Sequence, residues 1–227
     1  MRVSRIFLFA GMAVALWLTA ACETDDYETG DGKYSYLRAD FVEARSGEAK
    51  KVVSAVTDEG DSLVFRDGAD CSWLTTPDSV YRGLLYSARG DEKAPYTQFV
   101  ALSQVLVLRV PEKRIEKPVT DPLTLESAWV SANGKYLNLG LVVKTGVDAD
   151  ADTQKSQRLG VGCDTLVTHA DGHRELHLIL YHDQAGVPEY YSSNVYASIP
   201  IGALSKGDVV TLDVQTYKGP LSRTFVK

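Results

Sequence analysis

From Tyr34 onward, apolar and polar positions alternate with a period of two, the period of a half-buried strand. "YSYLRADFVEA" (34–44), "KVVSAVT" (51–57), "SLVFR" (62–66), "VYRGLLYSA" (80–88) and "FVALSQVLVLRV" (99–110) are rich in β-branched and aromatic residues. Each is bounded by Gly, Asp, Pro or Ser, so the pattern predicts five strands. The second and third meet through the turn Asp58-Glu59-Gly60-Asp61. Alternation resumes in "LTLESAWVS" (123–131), turns at Asn133-Gly134 and continues in "KYLNLGLVVK" (135–144). Five more strands are predicted at 161–169, 173–182, 190–199, 208–217 and 221–226, with turns at Asp171-Gly172 and Lys206-Gly207-Asp208. No amphipathic helix of convincing length is present.

Between the two groups lies "PEKRIEKPVTDP" (111–122), with three prolines and little to bury. Proline cannot join a central ladder, so the first sheet should end here. The expected architecture is all-β. Residues 34–111 form a small five-stranded OB-like barrel, 112–122 a Pro-rich linker, and 123–227 an antiparallel immunoglobulin-like β-sandwich.

The first residues follow a different pattern. Arg2 and Arg5 precede an apolar run over residues 6–18, and Thr19-Ala20-Ala21 leads into Cys22. This is the three-part layout of an export signal. The run falls short of the roughly 20 residues a permanent membrane-spanning helix needs. Ala20-Ala21 could serve an ordinary signal peptidase. The small residues before a cysteine fit a bacterial lipobox better, although Thr19 stands where Leu is usual. On that reading residues 1–21 are a lipoprotein signal peptide, and Cys22 is lipidated as the first residue of the mature chain. Several acyl chains, at ~0.8 kcal/mol per buried CH₂, anchor a protein stably. Glu23, Asp25, Asp26, Glu28 and Asp31, interspersed with Gly30 and Gly32, make residues 22–33 an acidic tether with little to bury. Such acids also resemble the surface-export signal of lipoproteins in some anaerobic Gram-negative bacteria. The expected location is the outer membrane, on its periplasmic or cell-surface face.

These pieces occur in a recognisable order: signal and tether, "YSYLRADFVEA", "SLVFRDG", "VYRGLLYSA", then "TDPLTLESAWVSANGKYLNLGLVVKT" and "HRELHLILYHD". The order resembles the NigD-like lipoproteins over nearly the whole mature chain, most strongly in "WVSANGKYLNL" (129–139). The resemblance implies an N-terminal OB-type barrel and a C-terminal β-sandwich. The family is named for a member encoded with a bacteriocin and suggested to confer immunity, and the resemblance carries over no catalytic residues. One departure is region 67–78, which lacks the helix that many OB folds place between strands three and four.

Charge narrows the partners. The chain has 24 basic and 30 acidic residues, a net charge of −6. Removing residues 1–21 deletes Arg2 and Arg5 and no acids, leaving −8. That balance argues against nucleic acid, whose binding rests on Lys and Arg neutralising phosphates, and against peripheral docking on anionic lipid. With Cys22 acylated, Cys71 and Cys163 remain, and in an oxidising compartment their pairing stays open.

Candidate chemistry is sparse. His169 and His173 could face each other across a hairpin and hold a metal with Glu175 or water, but a solvated hairpin face is the favoured reading and no metal site is assigned. Asp148, Asp150 and Asp152 imitate the start of a calcium loop. Thr153 and Leu159 stand where an EF-hand needs Gly and Glu. No G-x-S-x-G elbow, Gly-rich phosphate loop or C-x-x-C is present. The acids Asp58/Asp61 and Asp91/Glu92 read as turn carboxylates. No catalytic residue and no cofactor are assigned, so the chain reads as a non-enzyme.

Tyrosine is the surplus, with twelve in the chain. In "VPEYYSSNVY" (187–196) Tyr190 and Tyr191 point to opposite strand faces, so at least one is exposed. Trp73 follows the third strand, near where OB folds bind ligands. Trp73, Tyr190 and Tyr191 are therefore the candidate ligand-binding residues, while Trp129 is assigned to the core. The expected function is a membrane-anchored, non-catalytic module binding a protein or glycan partner. The alternatives are a bacteriocin-immunity lipoprotein, by resemblance, and then an envelope hydrolase without a recognisable motif.

Overall fold

The computed structural model describes residues 37–88, 97–111, 118–147 and 155–227. Arg38–Lys227 belongs to one compact unit. The described residues are all-β, with thirteen strands and no helix. They build an OB-like barrel followed by a β-sandwich.

Strands β1 (Leu37–Ser46), β2 (Val52–Thr57), β3 (Ser62–Ala69), β4 (Val80–Ala88) and β5 (Gln98–Gln104) form a curled sheet in the order β3-β2-β1-β4-β5. Its ends meet where the Thr97 N–H donates to the Val64 carbonyl at 3.0 Å. Alternation along β1 buries Asp40, Val42, Ala44 and Ser46, while Phe41 and Glu43 face outward. Val42, Ala44, Val52, Ala55, Phe65, Leu85 and Leu102 make the barrel core. Gly83 is required here, because a Cβ at that position would stand 2.5 Å from the Leu102 side chain. Region 67–78 contains no helix, as its sequence predicts.

The strand expected over 99–110 is divided. The chain leaves the barrel at buried Val105, whose N–H donates to the Arg82 carbonyl at 3.2 Å. The two-residue strand β6 (Leu106–Val107) then joins the other lobe, and Leu108 enters that lobe's core. The alternation runs from one core into the next without a Gly or Pro to mark the change, so the pattern alone reads as one strand.

The sandwich comprises β7 (Thr124–Val130), β8 (Tyr136–Thr145), β9 (Arg158–Thr168), β10 (Arg174–Asp183), β11 (Tyr191–Pro200), β12 (Val209–Thr216) and β13 (Gly219–Val226). One sheet runs β13-β12-β10-β9 and the other β6-β11-β8-β7. The β10–β12 and β11–β6 pairs are parallel, whereas the β9–β10, β7–β8, β8–β11 and β12–β13 pairs are antiparallel. Leu137, Leu139 and Leu141 of β8 pack with Leu178, Leu180, Ile199 and Leu212 between the sheets. Burying each such side chain contributes about 1.5–3 kcal/mol. The Asn133-Gly134 turn is present, with Gly134 at φ +66°.

β8 is buried without alternation from Leu137 to Leu141, because the barrel covers the outer face of its sheet. Trp129 is accordingly not a core residue. β7 turns Ala128 and Val130 toward the core, which leaves Trp129 on the outer face, 37% exposed and edge-on to Phe41 at 5.3 Å.

Of the expected linker, residues 112–117 lie outside the described residues. Residues 118–123 form a strap along the sandwich: the Asp121 N–H donates to the His182 carbonyl at 2.8 Å, and the His182 N–H donates to the Val119 carbonyl at 3.1 Å.

Candidate functional site

Polar side chains gather at the seam between the lobes and at the open end of the sandwich. The seam begins with Arg82, a charged residue inside the apolar run of β4. With the barrel core on one face of that strand, Arg82 points to the other, toward β8 and β11. It donates to both carboxylate oxygens of Asp58, at 2.8 and 2.6 Å. It also donates to Asn138 Oδ1 at 3.0 Å and to Ser198 Oγ at 3.1 Å. Asn138 Nδ2 donates to Asp58 at 2.8 Å, and the Ser198 hydroxyl donates to Asn138 Oδ1 at 2.7 Å. Arg82 and Asp58 are only 5% and 4% exposed. The guanidinium lies 4.0 Å from the Tyr136 ring centroid.

Beside this network Glu43 accepts from Lys135 and from the Tyr136 hydroxyl, both at 2.8 Å. Burial alone would raise the Glu43 carboxyl, but these two bonds outweigh it and hold the group below the ordinary carboxylate range. Burial, reinforced by Glu43, pushes the Tyr136 hydroxyl up to about 12. Every polar partner in the network is already engaged, so the seam is a structural lock between the lobes.

The second place is a cavity of about 410 Å³ at the end of the sandwich. Val143, Leu159, Val187 and Val195 form apolar walls, Leu106 of β6 one edge, and Tyr191 the rim. Thr145, Ser156, Gln157, Ser193 and Lys155 supply its polar atoms. Tyr191 is held there by β11, which pairs it with Thr145 of β8. Ahead of β11, the Gln184-Ala185-Gly186-Val187 turn closes with the Val187 N–H donating to the Gln184 carbonyl at 2.9 Å. Its central residues both have positive φ, +51° and +69°. Tyr190 lies against Gly146, where a Cβ would stand 2.7 Å from its ring.

Tyr190 and Tyr191 are 73% and 53% exposed; Tyr191 borders the cavity, while Tyr190 packs on Gly146 beside it without lining it. A hollow of a few hundred Å³ with apolar walls and few polar groups suits a small ligand or a partner's anchoring side chain.

Trp73 belongs elsewhere. Its indole N–H donates to the Leu102 carbonyl at 3.0 Å and its ring meets Tyr81 edge-on at 5.5 Å. It packs against the barrel core, apart from both tyrosines. Tyr81 is drawn down to about 8 by the Thr75 and Thr76 amides that donate to its oxygen. Cys22, Asp148, Asp150 and Asp152 lie outside the described residues. Cys71 and Cys163 are both thiols, one against each core.

His169 and His173 do meet across the hairpin, with their rings stacked at 4.1 Å and 6° between planes. Parallel planes do not converge their nitrogens. Glu175 sits instead between His169 and His177, at 3.2 and 3.0 Å. Among the described residues no group of three or more His, Cys, Asp or Glu is arranged to hold a metal ion. Among the described residues no helix is long and apolar enough to cross a membrane.

Two features of these sites are not anticipated by the sequence reading. The Arg82 lock left a faint signal, in that Arg82, Asn138 and Ser198 each interrupt an apolar run. Of the cavity the sequence shows only Tyr191 at the rim, because its walls depend on how β6, β8, β9 and β11 meet.

No protein-family model matches the sequence, and no curated protein matches it. Solved structures do share the fold. A NigD-like immunity protein from Bacteroides caccae superposes with a TM-score of 0.62 at 18% identity, covering 83% of this chain and 96% of that one. A toxin-related protein from Parabacteroides distasonis gives 0.60 at 14% identity, with 84% and 93% covered. A protein of unknown function from Bacteroides vulgatus gives 0.61 at 11% identity, with 84% and 90% covered. The barrel-plus-sandwich fold of this chain is thus the one adopted by the NigD-like immunity protein, over almost the whole length of that structure.

Proposed function

We propose that the chain is an envelope lipoprotein, acylated at Cys22 and held at the outer membrane, that binds a protein or glycan partner without performing chemistry on it. The observation that carries this reading is the cavity rimmed by Tyr191. It is open, largely apolar, and faced by hydroxyls and one lysine instead of a paired acid and base. Tyrosine suits such a rim because it offers apolar area and a hydrogen-bonding tip at little entropic cost.

The fold shared with a NigD-like immunity protein supports a second reading of the same site, in which the partner is a bacteriocin that the protein sequesters. Screening the purified chain against glycan arrays and envelope-protein extracts identifies the partner class. Tyr191→Ala should weaken capture about tenfold while leaving the melting temperature unchanged, and unaltered capture would remove the cavity from the reading. Deleting the gene should sensitise a bacteriocin-producing strain if the partner is the toxin. Palmitate labelling that is lost in Cys22→Ser tests the anchor.

A further inference from the structure

His182 is the one histidine on the inward face of β10, following Leu178 and Leu180, and it is 1% exposed. Both of its ring nitrogens face oxygen atoms. Nδ1 lies 3.1 Å from the Asp121 backbone carbonyl and Nε2 lies 3.0 Å from Gln157 Oε1. A carbonyl oxygen only accepts, so a neutral ring, with one N–H, satisfies one contact and sets lone pair against lone pair in the other. Turning the Gln157 amide over does not resolve this. Its Nε2 donates to the Lys144 carbonyl, and the flip would bring two carbonyl oxygens into contact there.

We infer that the His182 imidazole is held as the cation, with a proton on each nitrogen, and that it acts as a proton-dependent latch joining the strap at Asp121 to the cavity wall at Gln157. Gln157 lines the cavity, so losing one ring proton frees the Gln157 amide and loosens that wall. Only this last step rests on the cavity being the binding site.

The charged neighbours allow a buried cation. From the strap, the Asp121 carboxylate supplies a nearby negative charge and accepts the Gln184 N–H at 2.8 Å. On β10 and β9, Asp183 and Arg158 offset each other at 4.0 Å. Lys144 of β8 turns outward to Ser192 at 3.0 Å, and Lys155 faces the Gly186 carbonyl at 3.4 Å. Beyond the strap, Tyr217 is raised by burial and by Glu189 and Asp121 beside it. The sign follows from the proton count: the folded state holds the proton, so the latch is closed at low pH and opens as pH rises.

The test is ¹⁵N NMR of the His182 ring in the full chain, with exchange of the Gln157 side-chain amide followed in parallel. Both ring nitrogens should be protonated at the acid end of the range over which the chain stays folded and Nδ1 alone at the alkaline end, with Gln157 side-chain exchange roughly tenfold faster there after intrinsic correction. Gln157→Glu, which places a carboxylate opposite the imidazolium, should move the transition to higher pH. A ring neutral at both ends overturns the inference, as does a titrating ring with unchanged Gln157 exchange. Absence of partner capture at every pH, with the ring titrating as described, would count against the proposed function and leave the latch standing.

Discussion

Arg82 shows how one residue can decide whether two lobes behave as one. Its charge is out of water and is tolerable only because Asp58, Asn138 and Ser198 complete its hydrogen bonds. Removing one partner of such a pair typically costs 3–5 kcal/mol, since the other is left buried and uncompensated. Arg82→Met should therefore lose about that much in denaturant unfolding. Adding Asp58→Leu in the Arg82→Met background should restore part of the loss, as a coupled cycle requires. Asp58 also marks the limit of reading residues singly. Its place in Asp58-Glu59-Gly60-Asp61 identifies it as a turn carboxylate, which it is, and the turn carries its side chain inward. Trp129 errs in the opposite direction: its size suggests a core, but its parity on β7 places it at the seam.

At the level of elements, period-two alternation locates almost every strand to within a few residues, because each buries one face against a core. It fails where that condition lapses. β8 and β4 are covered on both faces, and the run over 99–110 serves two cores in succession. Leu108 illustrates the consequence, since it lies in the segment expected for the barrel and packs in the sandwich. Leu108→Ala should cost about 2–5 kcal/mol, read as a lower midpoint in urea. A fragment starting at residue 112 should be less stable than one starting at residue 105, because it lacks both Leu108 and β6. Equal midpoints would show that β6 contributes nothing to the sandwich. The cavity was not legible for a related reason. Its rim residue Tyr191 is visible in the sequence, but the walls come from four separate elements.

The whole molecule combines a hydrophobic seam, Phe41 against Trp129 and Tyr196, with the buried ion pair. Heating should therefore give a single transition followed equally by probes in either lobe, and Arg82→Met should split or broaden it. Acid should act through carboxylates that the fold holds below their ordinary range. Glu43 is one. Asp208 is another, lowered by the Ser205 and Arg174 amides and by the Arg174 side chain. The unfolded chain takes up these protons first as pH falls, so their contribution is complete above the ordinary carboxylate values and is lost below about pH 4. A melting temperature unchanged between pH 6 and pH 3.5 would contradict this.

The short strand β6 also orders events in time. Its partners Ala197 and Ser198 are synthesised some ninety residues after it. As the chain emerges, the barrel strands can pair while β6 waits and Arg82 holds Asp58 in water. Arrival of β11 then seats β6, brings Ser198 to the guanidinium and dehydrates the pair in one step. The ion pair therefore becomes costly to break only once the C-terminal half is in place, and a chain ending before β11 should have an unlocked barrel half with Arg82 and Asp58 hydrated.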